Sequence, residues 1–144
     1  MILLLHILAA TIWTGGHIVL ATVILPTVLR QRSPELLLSF ETRYERIGMP
    51  ALIIQVITGC WLAFHLLPDL SLWLQPGNPL SHIIMTKLTL LALTVALALD
   101  ARFRVIPRLS TANLWDMAWH IIAVTVFSLL FVVAGVSFRT GWSY

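Results

Sequence analysis

The sequence predicts an all-α integral membrane protein, a four-helix bundle with both termini on the periplasmic side. The 144 residues are 59% hydrophobic and only 10% charged, whereas a soluble domain of this length needs far more charge to cover its surface. Four apolar segments are long enough to cross a bilayer, which takes about 20 residues. The arginines concentrate in two of the three intervening loops, and this bias sets the orientation of the helices.

The chain is predicted to form one transmembrane domain over residues 1–144. Pro26 falls near the end of the first span, where a kink or stop is tolerated, and Pro50 suits the first turn of the second. Asn78 or Ser81 can cap the third span, and a run of helix-start residues precedes the fourth. The expected spans are about 2–28, 47–67, 80–101 and 115–138.

Loop charge predicts the topology. Loop 30–46 carries four arginines and loop 102–114 carries three, whereas loop 68–79 carries neither lysine nor arginine. The first and third loops are therefore expected in the cytoplasm, with both termini outside. The chain is expected to be a multi-pass protein of the bacterial inner membrane. Leucines and glutamates mix in residues 35–45, which predicts either an amphipathic helix on the inner surface or an extension of the second span.

His6, Trp13 and His17 share one face of the first span, because a helix turns by about 100° per residue. The two histidines lie about 16 Å apart along that face. Ionisable groups inside a membrane are costly and usually functional, so this stripe predicts a metal or haem site. Trp13, counted here among the cofactor-binding candidates, is the member that packing alone could explain.

Three further histidines fall into two depth groups. His65 ends the second span and His82 begins the third, so both are expected near His6 at the outer surface; simple wetting by lipid headgroups is the alternative for these two. His120 lies about one and a half turns into the fourth span and is expected to pair with His17. Two imidazoles that face each other can ligate a haem iron, although His120 could instead be a structural partner of nearby Asp116.

Lys87 and Arg139 complete the candidate cofactor site. A lysine within an apolar helix must reach the interface, pair, or lose its proton. Lys87 is therefore the candidate catalytic residue, as a propionate partner, an anion or quinone contact, or a proton carrier; reaching the outer interface is the alternative. The nearest acidic residue expected on that side is Asp69. Arg139, at the end of the fourth span, is a further cofactor-binding candidate.

Copper is the competing metal. Met85 lies one turn from His82, and a histidine–methionine pair suits Cu(I). The single cysteine, Cys60, excludes an intramolecular disulfide and a multi-cysteine zinc or iron–sulfur site. The net charge of +3 is explained by topology-setting arginines and does not indicate nucleic acid.

Short motifs also carry a family resemblance. They are His6-x6-Trp13-x-Gly15-Gly16, the loop segment Phe40-Glu41-x-Arg43-Tyr44-Glu45-Arg46, Gly59, and Lys87 within HIIMTKLTLL. The chain resembles the membrane domain of CopD-type copper resistance proteins, and it also resembles HemJ, the four-helix protoporphyrinogen oxidase family. The HemJ resemblance implies haem binding with His6 and Lys87 as functional positions. The CopD resemblance, to which the Trp-x-Gly-Gly form is closer, implies copper uptake or transfer.

We therefore expect a transition-metal centre held by intramembrane histidines. A b-type haem for membrane electron transfer is favoured, which would make the chain a haem-dependent oxidoreductase. Copper uptake or transfer is the alternative, a HemJ-like oxidase a further one, and a cofactor-free membrane subunit the structural one. The expected partners are the lipid bilayer, a quinone, a periplasmic electron or copper carrier, and a second copy of the chain.

Overall fold

The computed structural model describes residues 1–75 and 77–140, and for 138–140 it describes the backbone alone. Within this part of the chain every regular element is helical. The α-helices are α1 Ile2–Val19, α2 Leu25–Gln31, α3 Pro34–Leu66, α4 Pro79–Asp100 and α5 Leu114–Thr140. The segments long and apolar enough to span a membrane are Ile2–Gln31, Pro34–Leu66, Pro79–Arg108 and Leu114–Ser137. The predicted all-α bundle of four spans is confirmed, while the side on which the termini lie stays a prediction.

Two π-helical turns carry the first and third spans past a proline. Leu20–Ile24 joins α1 to α2 and precedes Pro26, and Ala101–Val105 extends α4 and precedes Pro107. Proline lacks an N–H, and its ring clashes with the carbonyl four residues earlier. A π turn shifts the hydrogen-bond register by one residue and so accommodates this defect. The helical rods consequently run beyond the expected ends of both spans.

Helix α3 begins well before the predicted start of the second span. Ser33 caps it by accepting a hydrogen bond from the N–H of Leu36 at 3.3 Å, and Pro34 and Glu35 occupy its first turn. Capping serine, first-turn proline and first-turn acid together form a stronger start signal than Pro50 does. Pro50 therefore lies inside α3, which corrects its expected first-turn position. The amphipathic segment extends the second span.

The hydrophobic core lies at the arginine-rich end of the bundle, a name used here for residues 20–46 and 100–121. Its buried members are Leu20, Leu25, Val28, Leu37, Val105, Leu114, Met117, Ala118 and Ile121. Helix α1 packs mainly on α3 and α5, and α4 packs on α5. Helices α3 and α4 barely touch, and the Arg102–Glu45 salt bridge at 2.8 Å links them.

The far half, meaning residues 2–14, 54–67, 79–94 and 125–137, has a more polar interior. Its buried side chains include the hydroxyls of Thr58, Ser81, Thr94 and Ser128. Of the two predicted caps of α4, Asn78 is the one observed: its side chain accepts a hydrogen bond from the N–H of Leu80 at 3.0 Å. Each of these four hydroxyls donates to a backbone carbonyl, so their burial leaves none of them without a partner.

Candidate functional site

His6 on α1 is tied to α3 in the far half. Its Nδ1 lies 2.9 Å from Oγ1 of Thr58. The Thr58 hydroxyl donates its own hydrogen to the carbonyl of Ile54 at 2.6 Å, so Oγ1 must accept from Nδ1–H of His6. In the neutral ring this bond places the proton on Nδ1, so that Nε2 carries the lone pair. Such an orienting bond on one ring nitrogen is typical of metal-ligating histidines.

Helix α3 also leaves room and a second acceptor beside this imidazole. A Cβ at Gly59 would lie 3.2 Å from Cε1 of His6, so glycine permits this close approach. One turn earlier, the buried Oε1 of Gln55 has no hydrogen-bond partner among the described residues. A buried acceptor without a partner is costly. Gln55 and Gly59 lie one turn apart on α3, so a second lone pair lies on the helix face that His6 contacts.

Lys87 approaches the same region from α4. Its side chain is half-buried, close enough to His6 for an electrostatic interaction, and its Nζ lies 3.9 Å from where a Cβ at Gly135 would be. Within the described chain its ammonium has no carboxylate within 4.0 Å. Asp69, the predicted candidate, is exposed in the loop between α3 and α4 and accepts both the N–H and the hydroxyl of Ser71. These hydrogen bonds hold the pKa of Asp69 below its usual value.

The other predicted metal ligands of this half do not join His6 in one cluster. His65 is exposed, donates Nδ1–H to the carbonyl of Trp61 at 3.0 Å, and stacks on that indole at 3.5 Å. His82 is exposed and lines an open groove of about 430 Å³ between α4 and α5. Met85 is half-buried one turn later. Among the described residues no three His, Cys, Asp or Glu side chains come together as a metal cluster.

His17 is enclosed by aromatic rings. Its Nδ1–H donates to the carbonyl of Trp13 at 2.8 Å, and its ring centroid lies 4.4 Å from that of Trp13 and 5.6 Å from that of Tyr44. The Tyr44 hydroxyl bridges from α3 to the carbonyls of Ile12 and Trp13 at 3.1 and 3.0 Å. A Cβ at Gly16 would overlap the Tyr44 ring. The sequence analysis assigned Tyr44 no role. The Gly15-Gly16 pair in α1 was the available signal that another helix approaches closely there.

The predicted pairing of His17 with His120 does not form in this structure. His120 donates Nδ1–H to the carbonyl of Asp116 and Nε2–H to the carboxylate of Asp100, each at 2.7 Å. Both ring nitrogens are engaged by partners within the protein, so neither is turned toward His17 or free for a metal in this arrangement. The carbonyl of His17 accepts instead from Thr125 at 3.2 Å, five residues and about 7 Å along α5 from His120.

Asp100 was not predicted, because its role depends on a contact between α4 and α5 that no local pattern shows. Arg139 lies outside the residues whose side chains the structure describes, and its cofactor role stays a prediction.

A family model described as CopD, copper resistance protein D, matches residues 38–138, more than half of the chain. The chain belongs to the CopD family. No curated protein and no solved structure matches it. CopD membership confirms the predicted resemblance and a multi-pass location in the inner membrane, and it supports a copper-related membrane function. The matched region contains Tyr44, Thr58, Lys87 and His120, whereas His6 and His17 precede it.

Proposed function

We propose that this CopD protein binds copper as its cargo in the far half of the bundle and passes it across or along the membrane. The observation that carries the proposal is the fixed tautomer of His6, which presents an unprotonated Nε2 inside an apolar bundle. Neutral imidazole is a good copper ligand. Membership in the CopD family supports copper as the metal. The hydrogen bond from His6 to Thr58 supports Nε2 of His6 as its ligand.

The sparse ligand set suits a transported ion. His6 offers one nitrogen, and Gln55 offers the one buried side-chain oxygen that lacks a partner in the described chain. Conduction requires a site strong enough to bind and weak enough to release, and two protein ligands meet that requirement better than a closed set of four. His82 and Met85, near the outer end of α4, provide softer groups for a first capture step.

Haem b is the second candidate, and Lys87 is the observation that favours it. An ammonium without a carboxylate near His6 disfavours a bare cation there and favours a ligand that carries carboxylates. In that case Nε2 of His6 would ligate the haem iron, and Lys87 would hold a propionate. Bound haem would supply electron-transfer or oxidase chemistry, and the residues of this chain would bind and orient it. A HemJ-like oxidase would use this same pair.

Metal content of the purified full chain tests both candidates. We expect the parent to retain copper after incubation with Cu(I) under reducing conditions, and His6→Ala to lose most of it. His65→Ala is the control, since Nδ1 of His65 is also hydrogen-bonded, to the carbonyl of Trp61, but the residue is exposed. Equal copper retention by the parent and His6→Ala refutes the copper site. A Soret band in the parent that disappears in His6→Ala would establish haem instead.

A further inference from the structure

A second polar groove lies at the arginine-rich end, between the end of α4 and the start of α5. Its volume is about 510 Å³. It is lined by Arg104, Val105, Arg108, Asn113, Asp116, Trp119 and His120. The groove opens where the apolar part of α5 begins, and the Trp119 side chain on its wall is 68% exposed. This composition, charged groups beside an exposed indole, is typical of the level of lipid headgroups.

Most polar groups in the groove are satisfied within the protein. Arg104 binds Asp100 at 2.9 Å, and His120 binds the same carboxylate. The Asn113 amide donates to the carbonyl of Arg108 at 2.9 Å. These contacts pair the charges of Arg104 and His120 with Asp100. Two charged side chains of the groove remain for a ligand.

Those two side chains are Arg108 and Asp116. Among the described residues neither the Arg108 guanidinium nor the Asp116 carboxylate has a side-chain hydrogen bond or ion pair. They line the same groove with opposite charges, yet they are not within 4.0 Å of each other. A ligand that carries an anion and a cation a few ångströms apart would satisfy both at once.

We infer that this groove binds the headgroup of an amine-bearing phospholipid, with its phosphate on Arg108 and its ammonium on Asp116. Guanidinium binds phosphate with paired, charge-assisted hydrogen bonds, and a primary ammonium can donate to a carboxylate. The acyl chains then run along the lipid-facing side of α5, where Ile122 and Val126 are exposed. Free phosphate would satisfy Arg108 and leave Asp116 unmatched.

Lipid retention by the full chain tests this inference. The purified, delipidated protein is offered equal amounts of phosphatidylethanolamine, phosphatidylcholine and phosphatidylglycerol, and bound lipid is counted by native mass spectrometry. We expect phosphatidylethanolamine to be retained about fivefold over phosphatidylcholine, whose quaternary amine cannot donate. Arg108→Gln should lower retention of phosphatidylethanolamine and phosphatidylglycerol by about fivefold, as for loss of one interfacial charge. Asp116→Asn should lower only that of phosphatidylethanolamine.

Arg43→Gln is the control, because Arg43 is exposed on α3 and does not line the groove. It should retain each lipid as the parent does. Equal retention of phosphatidylethanolamine and phosphatidylcholine by the parent overturns the inference, as does an equal loss in Arg43→Gln and Arg108→Gln. Displacement of phosphatidylethanolamine by inorganic phosphate would make this a soluble-anion site and would also overturn it.

Discussion

Replacing Thr58 with valine isolates the hydrogen bond that orients His6. Valine keeps the shape of threonine and removes the acceptor 2.9 Å from Nδ1 of His6. The imidazole can then rotate or change tautomer, so Nε2 is no longer held unprotonated. Loss of such an orienting partner typically lowers metal affinity 10–100-fold, which corresponds to about 1.4–2.8 kcal/mol. Folding should lose less, about 1 kcal/mol for one net hydrogen bond.

The assay is competition for Cu(I) between the purified protein and a coloured chelator, with thermal unfolding measured on the same samples. Thr94→Val is the matched control. Thr94 is 2% exposed, and its hydroxyl bonds only to the carbonyl of Leu90 in its own helix, at 2.8 Å. We expect Thr58→Val alone to lose copper affinity. If Thr58→Val and Thr94→Val bind copper equally well, the Thr58 hydrogen bond does not position a ligand.

Three other experiments test the site charge, the topology and the packing. Lys87→Met should strengthen copper binding, since removing the ammonium near His6 removes the repulsion between like charges; a fall in haem content would instead support haem. In a cysteine-free background, an impermeant thiol reagent applied outside should label Ser71→Cys and spare Ser110→Cys, and the reverse would invert the bundle. Gly16→Ala should lower stability by about 1–3 kcal/mol through overpacking against the α3 tyrosine, whereas Gly15→Ala, which meets open space, should not; equal melting temperatures would contradict that packing.

The number and apolar character of the spans could be predicted because they depend on composition over about 20 residues. Their ends could not, since local hydrogen-bond chemistry sets them. Ser33 starts α3 far ahead of the apolar stretch, and π turns carry the first and third spans past Pro26 and Pro107. Hydropathy contains no information about a helix cap or a π turn.

The candidate site was predictable in part. Helix direction converts sequence position into depth, and it placed His6 and Lys87 in the same half of the bundle, where the structure also has them. Their roles in a site stay predictions. Depth alone could not show that Asp100 engages His120, since that depends on how α4 and α5 are rotated about their axes. The same limit hid Gln55, whose significance lies in the absence of a partner within the described chain.

The concentration of core packing at the arginine-rich end has a dynamic consequence. Local opening costs least where few apolar contacts are buried, so the far ends of the helices should separate many times before the bundle unfolds globally. Amide hydrogens of residues 114–121 should accordingly exchange more slowly than those of residues 2–8 and 58–65. A bundle clamped at one end in this way can admit and release a ligand at the other on a timescale far shorter than its unfolding time.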